Sequence, residues 1–544
     1  MIIVLGGGPV GLGAALELAR FGVRTTLIEK HPATSWHPKT RNLNSRTMEI
    51  ARGWGNVTYQ RLRGIDTPPG WKSPIRFTRS ATGEQFGMIE SKGFEGPGEG
   101  VSPALPVMSS QDLIEEILFD AAQASEFIDV RFGTEAVELV TGADPDDTEV
   151  VLKVRSRATG EQETIHAAAL VAADGAESST RERLGIRLEG KRDLNNVINC
   201  YFRADIEPHV SDRTGVLYFV YTPEIDGVLQ PLDARGRWLC QIFVPEQDWS
   251  LDVYTPDRVT DWVRTASGID DLAVDVLSVG LWKLNATVAE RLVQGRVVLC
   301  GDAAHQVPPT GGLGVNTGLQ GAHNVMWKLA MHVTGRADWS LVQTYDAERR
   351  SVAQDINEQS LRNAVNIRRI NSAASGGGES GLTAEQIVTA SRRYGNHFGV
   401  EFGASYNSSA VIPDGTQPPR VDDSFSDYEP SATPGCRAPH VWLGTGDGRV
   451  STIDLVGTGF TLFAGPDAGG WCESARAARD GGADVAVYRV GAAGLDDDGS
   501  FTRAYGIDDG GAVLVRPDGH VAWRSTGPPS SGTEVGEALA RLLS

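Results

Sequence analysis

The spacing of apolar residues along the chain predicts alternating strands and helices at both ends and a run of antiparallel strands between them. Ile2-Ile-Val-Leu5 is an apolar run of strand length, and Leu12 to Arg20 repeats its apolar positions at helical spacing. Thr25-Thr-Leu-Ile28 is a second strand, ending in Glu29. A Pro-rich stretch from His31 turns helical before Trp54. Residues 56–106 then mix Gly, Pro and Ser with short alternating runs such as Ile75-Arg-Phe-Thr78, the pattern of loops and edge strands. Ser110 to Leu118 resumes a helix, with Ser109 or Ser110 as its cap and Gln111 in its first turn.

From Val130 to Val171 the period changes to two. Val130–Phe132, Ala136–Val140, Val150–Val154 and Ala168–Val171 read as strands, with turns at Asp144–Asp147 and Ala158–Gly160. Strands continue over Asn196–Val244 and Val274–Leu284, carrying Tyr201, Phe202, Tyr218, Phe219, Tyr221, Trp238 and Phe243. Most aromatics of such a sheet belong to its core, yet one face also suits a flat ring, and Tyr218, Tyr221 and Trp238 are its candidate contacts. Period two sets Phe219 opposite to Tyr218 and Val220, so only one of these sets can face a ligand.

Val297-Val-Leu299 leads into Gly301-Asp302, and a Pro/Gly-rich loop runs to Asn316 before a helix expected from Thr317 to about Leu329. Gln343 to Val365 is a charged helical segment expected on the outside. Asp414 to Pro439, rich in Pro, Ser and Asp, is the candidate linker to a small α/β unit. There the runs Gly459–Phe463, Val485–Val490 and Ala512–Val515 alternate with helical segments, and Arg516-Pro-Asp-Gly519 turns a hairpin into His520–Arg524.

With 544 residues, 40% hydrophobic and 22% charged, the chain is that of a globular protein of several domains. A formal charge of -20 argues against nucleic acid and against an anionic membrane surface, leaving small molecules as the expected partners. Cys200, Cys240, Cys300, Cys436 and Cys472 are scattered without a CxxC pair, which suggests reduced thiols in the cytoplasm and no zinc site. Neither an export signal nor an apolar run of about 18 residues is evident.

The candidate chemistry begins at Gly6-Gly-Gly-Pro-Val-Gly11. It fits GxGxxG between a strand and a helix, with the acid Glu29, followed by Lys30, closing the second strand, so a dinucleotide is the expected ligand. Gly376-Gly-Gly-Glu-Ser-Gly381 fits the same string but follows no apolar strand, and reads as a loop. Arg41 can be a solvated charge or a pyrophosphate or flavin contact, and Asp174, in Ala172-Ala-Asp-Gly175, a helix cap or a ligand contact. Asp302 and the loop after it bring a carboxylate and a row of backbone amides to a helix N-terminus, a setting for a polar, partly anionic ligand. Asp496-Asp-Asp498 reads as a solvated loop rather than a calcium site.

Taken in order, GGGPVG with Glu29, AADG at Ala172–Gly175 and GDAAHQVPPTGGLGVN at Gly301–Asn316 make the chain resemble the FAD-dependent single-component aromatic hydroxylases of the para-hydroxybenzoate and phenol hydroxylase type. PGCRAPHVWL from Pro434 and VLVRPDGHVAWR from Val513 resemble the thioredoxin-like third domain of the phenol and polyketide-tailoring hydroxylases. The resemblance implies an α/β fold. A Rossmann-like FAD-binding domain (1–190 and 285–415) is interleaved with a mainly antiparallel β-sheet substrate domain (191–284, with part of 56–106). A thioredoxin-like α/β domain (416–544) completes the chain.

It implies further that Gly6, Gly8 and Gly11 hold the pyrophosphate, and Glu29 with Lys30 the adenosine side. Arg41 and Gln111 would contact flavin and pyrophosphate, the backbone near Ala136 the adenine, and Asp302 the ribityl chain. Gly312, Gly314, Val315 and Asn316 would face the pyrimidine edge of the isoalloxazine, and Asp174 serve both FAD and NADPH or NADH. The implied reaction is hydroxylation of a phenolic or polycyclic polyketide substrate by molecular oxygen through a flavin C4a-hydroperoxide. Arg41 would stand at the reacting centre and Pro308 and Pro309 would form a rigid, donor-free wall.

The third domain lacks CxxC, which points to a structural or oligomerising role, and the WxWxIP signature of flavin-dependent halogenases is absent. Tyr201, Tyr218, Tyr221, His209 and His305 are candidates by type alone for the substrate base. The alternatives are a Baeyer–Villiger-type oxygenase or flavin reductase on the same fold, and a non-catalytic flavin- or ligand-binding scaffold.

Overall fold

The computed structural model describes all residues except 375–380, 445–447, 492–494 and 496–498. All of the second glycine string except Gly381, and the Asp496–Asp498 loop, lie outside the described residues.

Ile2–Leu5 is the centre of a six-stranded sheet, parallel to Ala169–Ala172 on one side and to Thr25–Glu29 on the other. Ile128–Phe132 extends it beyond Thr25–Glu29, and Val297–Leu299 beyond Ala169–Ala172. All four residues of the central strand are buried, which is why it reads as an unbroken apolar run. The Pro9–Arg20 helix packs between this sheet and the Gly314–Val333 helix. Glu17, buried there, accepts from Trp54 Nε1 at 2.6 Å and meets His323 Nδ1 at 2.9 Å.

The second sheet has eight strands and is antiparallel except where Leu217–Tyr221 runs parallel to Ile75–Thr78. Leu188–Arg203 and Asp275–Ala289 are its longest strands and run past both ends of the expected 191–284 segment. His305–Gln306 pairs with the end of the latter, so the sheet is joined to the loop that follows Asp302. One face is closed by the Pro256–Ser267 helix over Ile198, Cys200, Phe202, Tyr218 and Trp238. On the other face Phe77, Phe219 and Val228 pack with Ile367 and Ile370 of the Trp339–Ala374 helix, and His37, from the loop after Thr25–Glu29, meets Asn199 and Ser278.

The C-terminal region has a four-stranded sheet in the order Val485–Arg489, Phe460–Ala464, Ala512–Val515, Val521–Ser525. Its β-α-β-α-β-β-α sequence of elements is thioredoxin-like. The turn at Arg516–Gly519 forms as expected, with Gly519 N donating to Arg516 O at 2.9 Å. Its side chains are not solvated, however. Arg516 and Asp518 are buried against Glu348 of the Trp339–Ala374 helix.

That helix corrects the expectation of an outer, charged segment. Glu348, Arg349, Asn357, Ser360 and Asn363 are buried, because polar partners arrive from distant parts of the chain. Ser110 does occupy the N-cap position of the Gln111–Gln123 helix, but neither its hydroxyl nor that of Ser109 caps anything. The helix expected at Thr317 starts at Gly314, inside the glycine loop. All five cysteines are free, and no helix among the described residues is long and apolar enough to cross a membrane.

Candidate functional site

The Gly6–Gly11 turn sorts its glycines by what each one faces. Gly6 has φ 107°, and a Cβ there would lie 2.1 Å from the Ala173 carbonyl oxygen, while one at Gly11 would lie 1.9 Å from the Gly6 oxygen. Both are required by the approach of protein backbone to itself. At Gly8 a Cβ would meet nothing within 4 Å, so the turn opens there, at the N-terminus of the Pro9–Arg20 helix.

Glu29 braces the turn from below: its carboxylate accepts from Gly7 N at 2.7 Å and from His31 N at 2.8 Å. Lys30 is exposed and its carbonyl accepts from Arg157 at 3.2 Å. Ala136 lies half-buried in the Thr134–Thr141 strand, packed on the core of the parallel sheet.

Asp174 follows the next strand and is engaged as a cap. It accepts from Ser178 Oγ at 2.5 Å, Thr180 N at 3.1 Å and Thr180 Oγ1 at 2.8 Å. The short helix held in this way presents Arg181, whose guanidinium donates to Ala176 O at 3.1 Å and Ala303 O at 3.3 Å. AADG and the Asp302 turn are thus one unit.

Asp302 itself has no hydrogen bond or ion pair with any described residue. It is accessible to solvent, yet desolvation raises its carboxyl above the ordinary range. The carboxylate follows the Gly301 turn, where the chain leaves the parallel sheet for the Pro/Gly-rich loop.

The loop beyond Asp302 is pinned on both sides. Thr310 Oγ1 donates to Ser360 O at 2.6 Å, and Asn363 Nδ2 to Thr310 O at 3.2 Å. Pro308 is buried, Pro309 exposed, and Gly311 and Gly312 take φ of 126° and 67°, which bend the chain into the helix. The N–H groups of Gly314, Val315 and Asn316 lie in the first turn, without intrahelical acceptors. They provide the anion-friendly end of a 20-residue helix.

The Asn316 side chain has a different task. It is buried and donates to Asn42 O and Gly312 O, both at 2.9 Å, and accepts from Asn44 N at 2.9 Å. Asn316→Ala is expected to lower stability by about 1–3 kcal/mol, because buried backbone groups lose their partners. The loop would then be free of the Asn42–Leu43 strand. A thermal unfolding series checks the loss, and a melting temperature equal to that of wild type would refute it.

Arg41 and Gln111, expected on the cofactor, are committed to the protein. Arg41 donates to Pro231 O at 2.5 Å and Val216 O at 2.6 Å, and burial pulls its guanidinium down to about 10. It clamps the eight-stranded sheet to the strand that Asn316 holds. Gln111 accepts from Lys39 N and Thr40 N and donates to Glu115, so it shapes the loop leading to Arg41.

Two of the three candidate aromatic contacts lie in the core rather than on an open face. Tyr218 and Trp238 are fully buried on the far face, under the Pro256–Ser267 helix, where their polar atoms bond Arg213 O and Glu207. Tyr221 shares the cleft-side parity of Phe219 and is half-buried at its strand end. Among the base candidates, His305 is buried and held down at about 4 by that burial, and His209 is exposed. Tyr201 accepts on its hydroxyl from Arg237 Nε at 2.8 Å.

Sequence reasoning missed the cleft face itself. Asn199, Tyr201, Gln230, Leu239 and Gln241 stand there in register. His37 reaches it from the loop after Glu29, with Nδ1 2.5 Å from Ser278 Oγ and Nε2 2.9 Å from Asn199 Nδ2. The available signal was a single glutamine at the cleft parity of two apolar strands, in Leu229-Gln-Pro231 and Cys240-Gln-Ile242.

Comparison with known proteins bears on this geometry. The FAD binding domain family matches residues 1–360, and the family "aromatic-ring hydroxylase, C-terminal" matches 431–544. A putative polyketide hydroxylase of Streptomyces halstedii is 36% identical, over 98% of this chain and 95% of the relative. The tetracenomycin A2 monooxygenase-dioxygenase of Streptomyces glaucescens is 34% identical, over 100% of this chain and 96% of its own length. The flavin-dependent monooxygenase PieE, solved with FAD and substrate, superimposes with a TM-score of 0.92 at 33% identity, covering 100% of this chain and 98% of that one.

Proposed function

The chain belongs to the FAD-dependent aromatic-ring hydroxylases, and from that premise we propose that its substrate is a fused-ring polyketide rather than a simple phenol. It is a monooxygenase that consumes molecular oxygen and a reduced nicotinamide, NADPH or NADH, to hydroxylate an aromatic ring. Relatives named for polyketide, tetracenomycin and aklavinone oxygenation support the polycyclic substrate. Free, scattered thiols support a reducing, cytoplasmic setting.

In this reading the open turn at Gly8 receives the pyrophosphate, Glu29 the adenosine ribose and Asp302 the ribityl chain. The N–H groups of Gly314, Val315 and Asn316 take the pyrimidine edge of the isoalloxazine. The observation that carries the assignment is Asp302, a carboxylate with no hydrogen-bond or ion-pair partner among the described residues, in the loop that leads to the free first-turn amides of the Gly314–Val333 helix. When bound, FAD supplies hydride acceptance and oxygen activation. The helix N-terminus offsets negative charge at that edge, and Pro308 and Pro309 give a wall without N–H donors that limits water. Arg41, through Val216 O and Pro231 O, fixes the substrate sheet relative to the amide loop.

The test is direct. The purified protein is expected to carry yellow FAD and to oxidise NADPH or NADH faster when a polycyclic hydroxyquinone is present, yielding a product heavier by one oxygen atom. Protein that neither carries nor takes up FAD would overturn the cofactor assignment. Oxygenation of simple phenols alone would overturn the polycyclic substrate.

A further inference from the structure

We propose that Gln230 and Gln241, with Asn199, form an amide-lined substrate subsite on the cleft face of the eight-stranded sheet. It would select fused-ring ligands bearing ring hydroxyl or ketone oxygens. The proposal deepens the hydroxylase reading and rests on it.

Register places the three side chains together. Gln241 lies opposite Asn199 on one neighbouring strand and opposite Val228 on the other, and Gln230 lies opposite Leu239, the next cleft-side residue along from Gln241. Strand alternation points them away from Leu229, Cys240 and Ile242, which fill the core beneath the Pro256–Ser267 helix.

Gln230 and Gln241 are each 8% exposed, and neither amide makes a hydrogen bond with a described residue. Neither is sealed off from solvent, unlike the Oδ1 atom of Asn199, which is fully buried and also without a partner. Two primary amides nine-tenths buried, diagonal to each other on neighbouring strands and without a protein partner, mark a place where a ligand completes the hydrogen bonding.

The neighbourhood defines the ligand. On one side of the amides the same face carries Leu217, Phe219 and Val228, and on the other Tyr201, Leu232 and Leu239. The first group packs with Phe77, Ile370 and Tyr394, so a short polar row lies between two apolar clusters, which suits a flat polycycle with oxygens at its middle. The two guanidinium groups that reach this part of the sheet are already committed: Arg41 to Val216 O and Pro231 O, and Arg237 to Asp112 and the Tyr201 hydroxyl. Amides remain for recognition, and each offers a donor and an acceptor, as a ring carrying both ketone and hydroxyl groups requires.

The experiment uses the full-length, FAD-loaded protein with 1,8-dihydroxyanthraquinone and unsubstituted anthraquinone as probes, titrated against the flavin absorbance. Wild type is expected to bind the dihydroxy compound at least tenfold more tightly. Gln241→Met and Gln230→Met keep side-chain length while removing the amide, and each is expected to shrink that preference about fivefold to tenfold, as the loss of one buried hydrogen bond does. Flavin content should stay unchanged. Methionine variants that retain FAD and the full preference would overturn the subsite, as would a wild-type protein with bound flavin and no preference. Loss of FAD from wild type would instead count against the hydroxylase reading itself.

Discussion

Glu348→Ala is expected to destabilise the protein by about 3–5 kcal/mol, the cost of leaving buried cations without their carboxylate. Glu348 sits at 1% exposure and accepts five hydrogen bonds: from Ser408 at 2.6 Å, Asn324 at 2.7 Å, Lys328 at 2.7 Å, and Arg516 at 2.7 and 2.9 Å. Arg516 also holds Asp518, so two cations and two carboxylates balance in a buried space between the C-terminal four-stranded sheet and the Gly314–Val333 and Trp339–Ala374 helices. The guanidinium decides the charge state. Arg516 and Lys328 hold Glu348 well below the usual carboxylate range, whereas burial and the nearby guanidinium pull Lys328 down to about 8 despite its short bond to the same carboxylate.

Chemical denaturation read by tryptophan fluorescence, together with proteolysis in the 411–434 segment, measures the loss. A change under about 1 kcal/mol would mean that water replaces the carboxylate, since only a solvated pair is worth so little. The pH dependence follows from the direction of the shift. Glu348, and Glu17 at about 2, have folded values below the unfolded value of about 4.3, so their contribution is complete at neutral pH and drains as pH falls from about 4 towards 2.

None of that cluster could be read along the chain, since its members are far apart in sequence and every one of them also suits a solvated surface. The Gln343–Val365 segment shows the difficulty: charge density suggested an outer helix, yet Glu348, Arg349 and Asn363 found buried partners brought by the fold. What was legible is what local chemistry dictates. The glycine turn, the acid closing the second strand and the hairpin at Asp518-Gly519 each require particular residues at particular spacings, and each formed as expected. Side-chain destinations were less legible than backbone. Arg41, Gln111, Asp174 and the amide of Asn316, expected at the cofactor, direct polar groups to the protein's own loops. Tyr218 and Trp238 were assigned by type, and parity sent them to the rear face. The glutamines at the opposite parity drew no notice, because one polar residue in an apolar strand carries no motif.

Asp302 is the counterpart of Glu348, and Asp302→Ala should separate cofactor binding from folding. The carboxylate makes no bond to any described residue, and desolvation raises its pKa, so in the absence of a ligand it weakens the fold. The apoprotein of Asp302→Ala is therefore expected to be at least as stable as wild-type apoprotein. Since a folded value above the unfolded one lowers stability as pH rises past about 3.9, that gain should be present at neutral pH and disappear in acid. The holoprotein should behave in the opposite way. Losing a charge-assisted hydrogen bond to a ribityl hydroxyl, about 1.5–3 kcal/mol, raises the FAD dissociation constant about tenfold to a hundredfold. Flavin fluorescence titration of the apoprotein reads the binding, and thermal unfolding with and without FAD reads the linkage, since wild type should gain more from a given excess of FAD than the variant does. Equal FAD affinity in the two proteins would remove Asp302 from the cofactor site. A destabilised apoprotein would mean that its carboxylate has a structural partner after all.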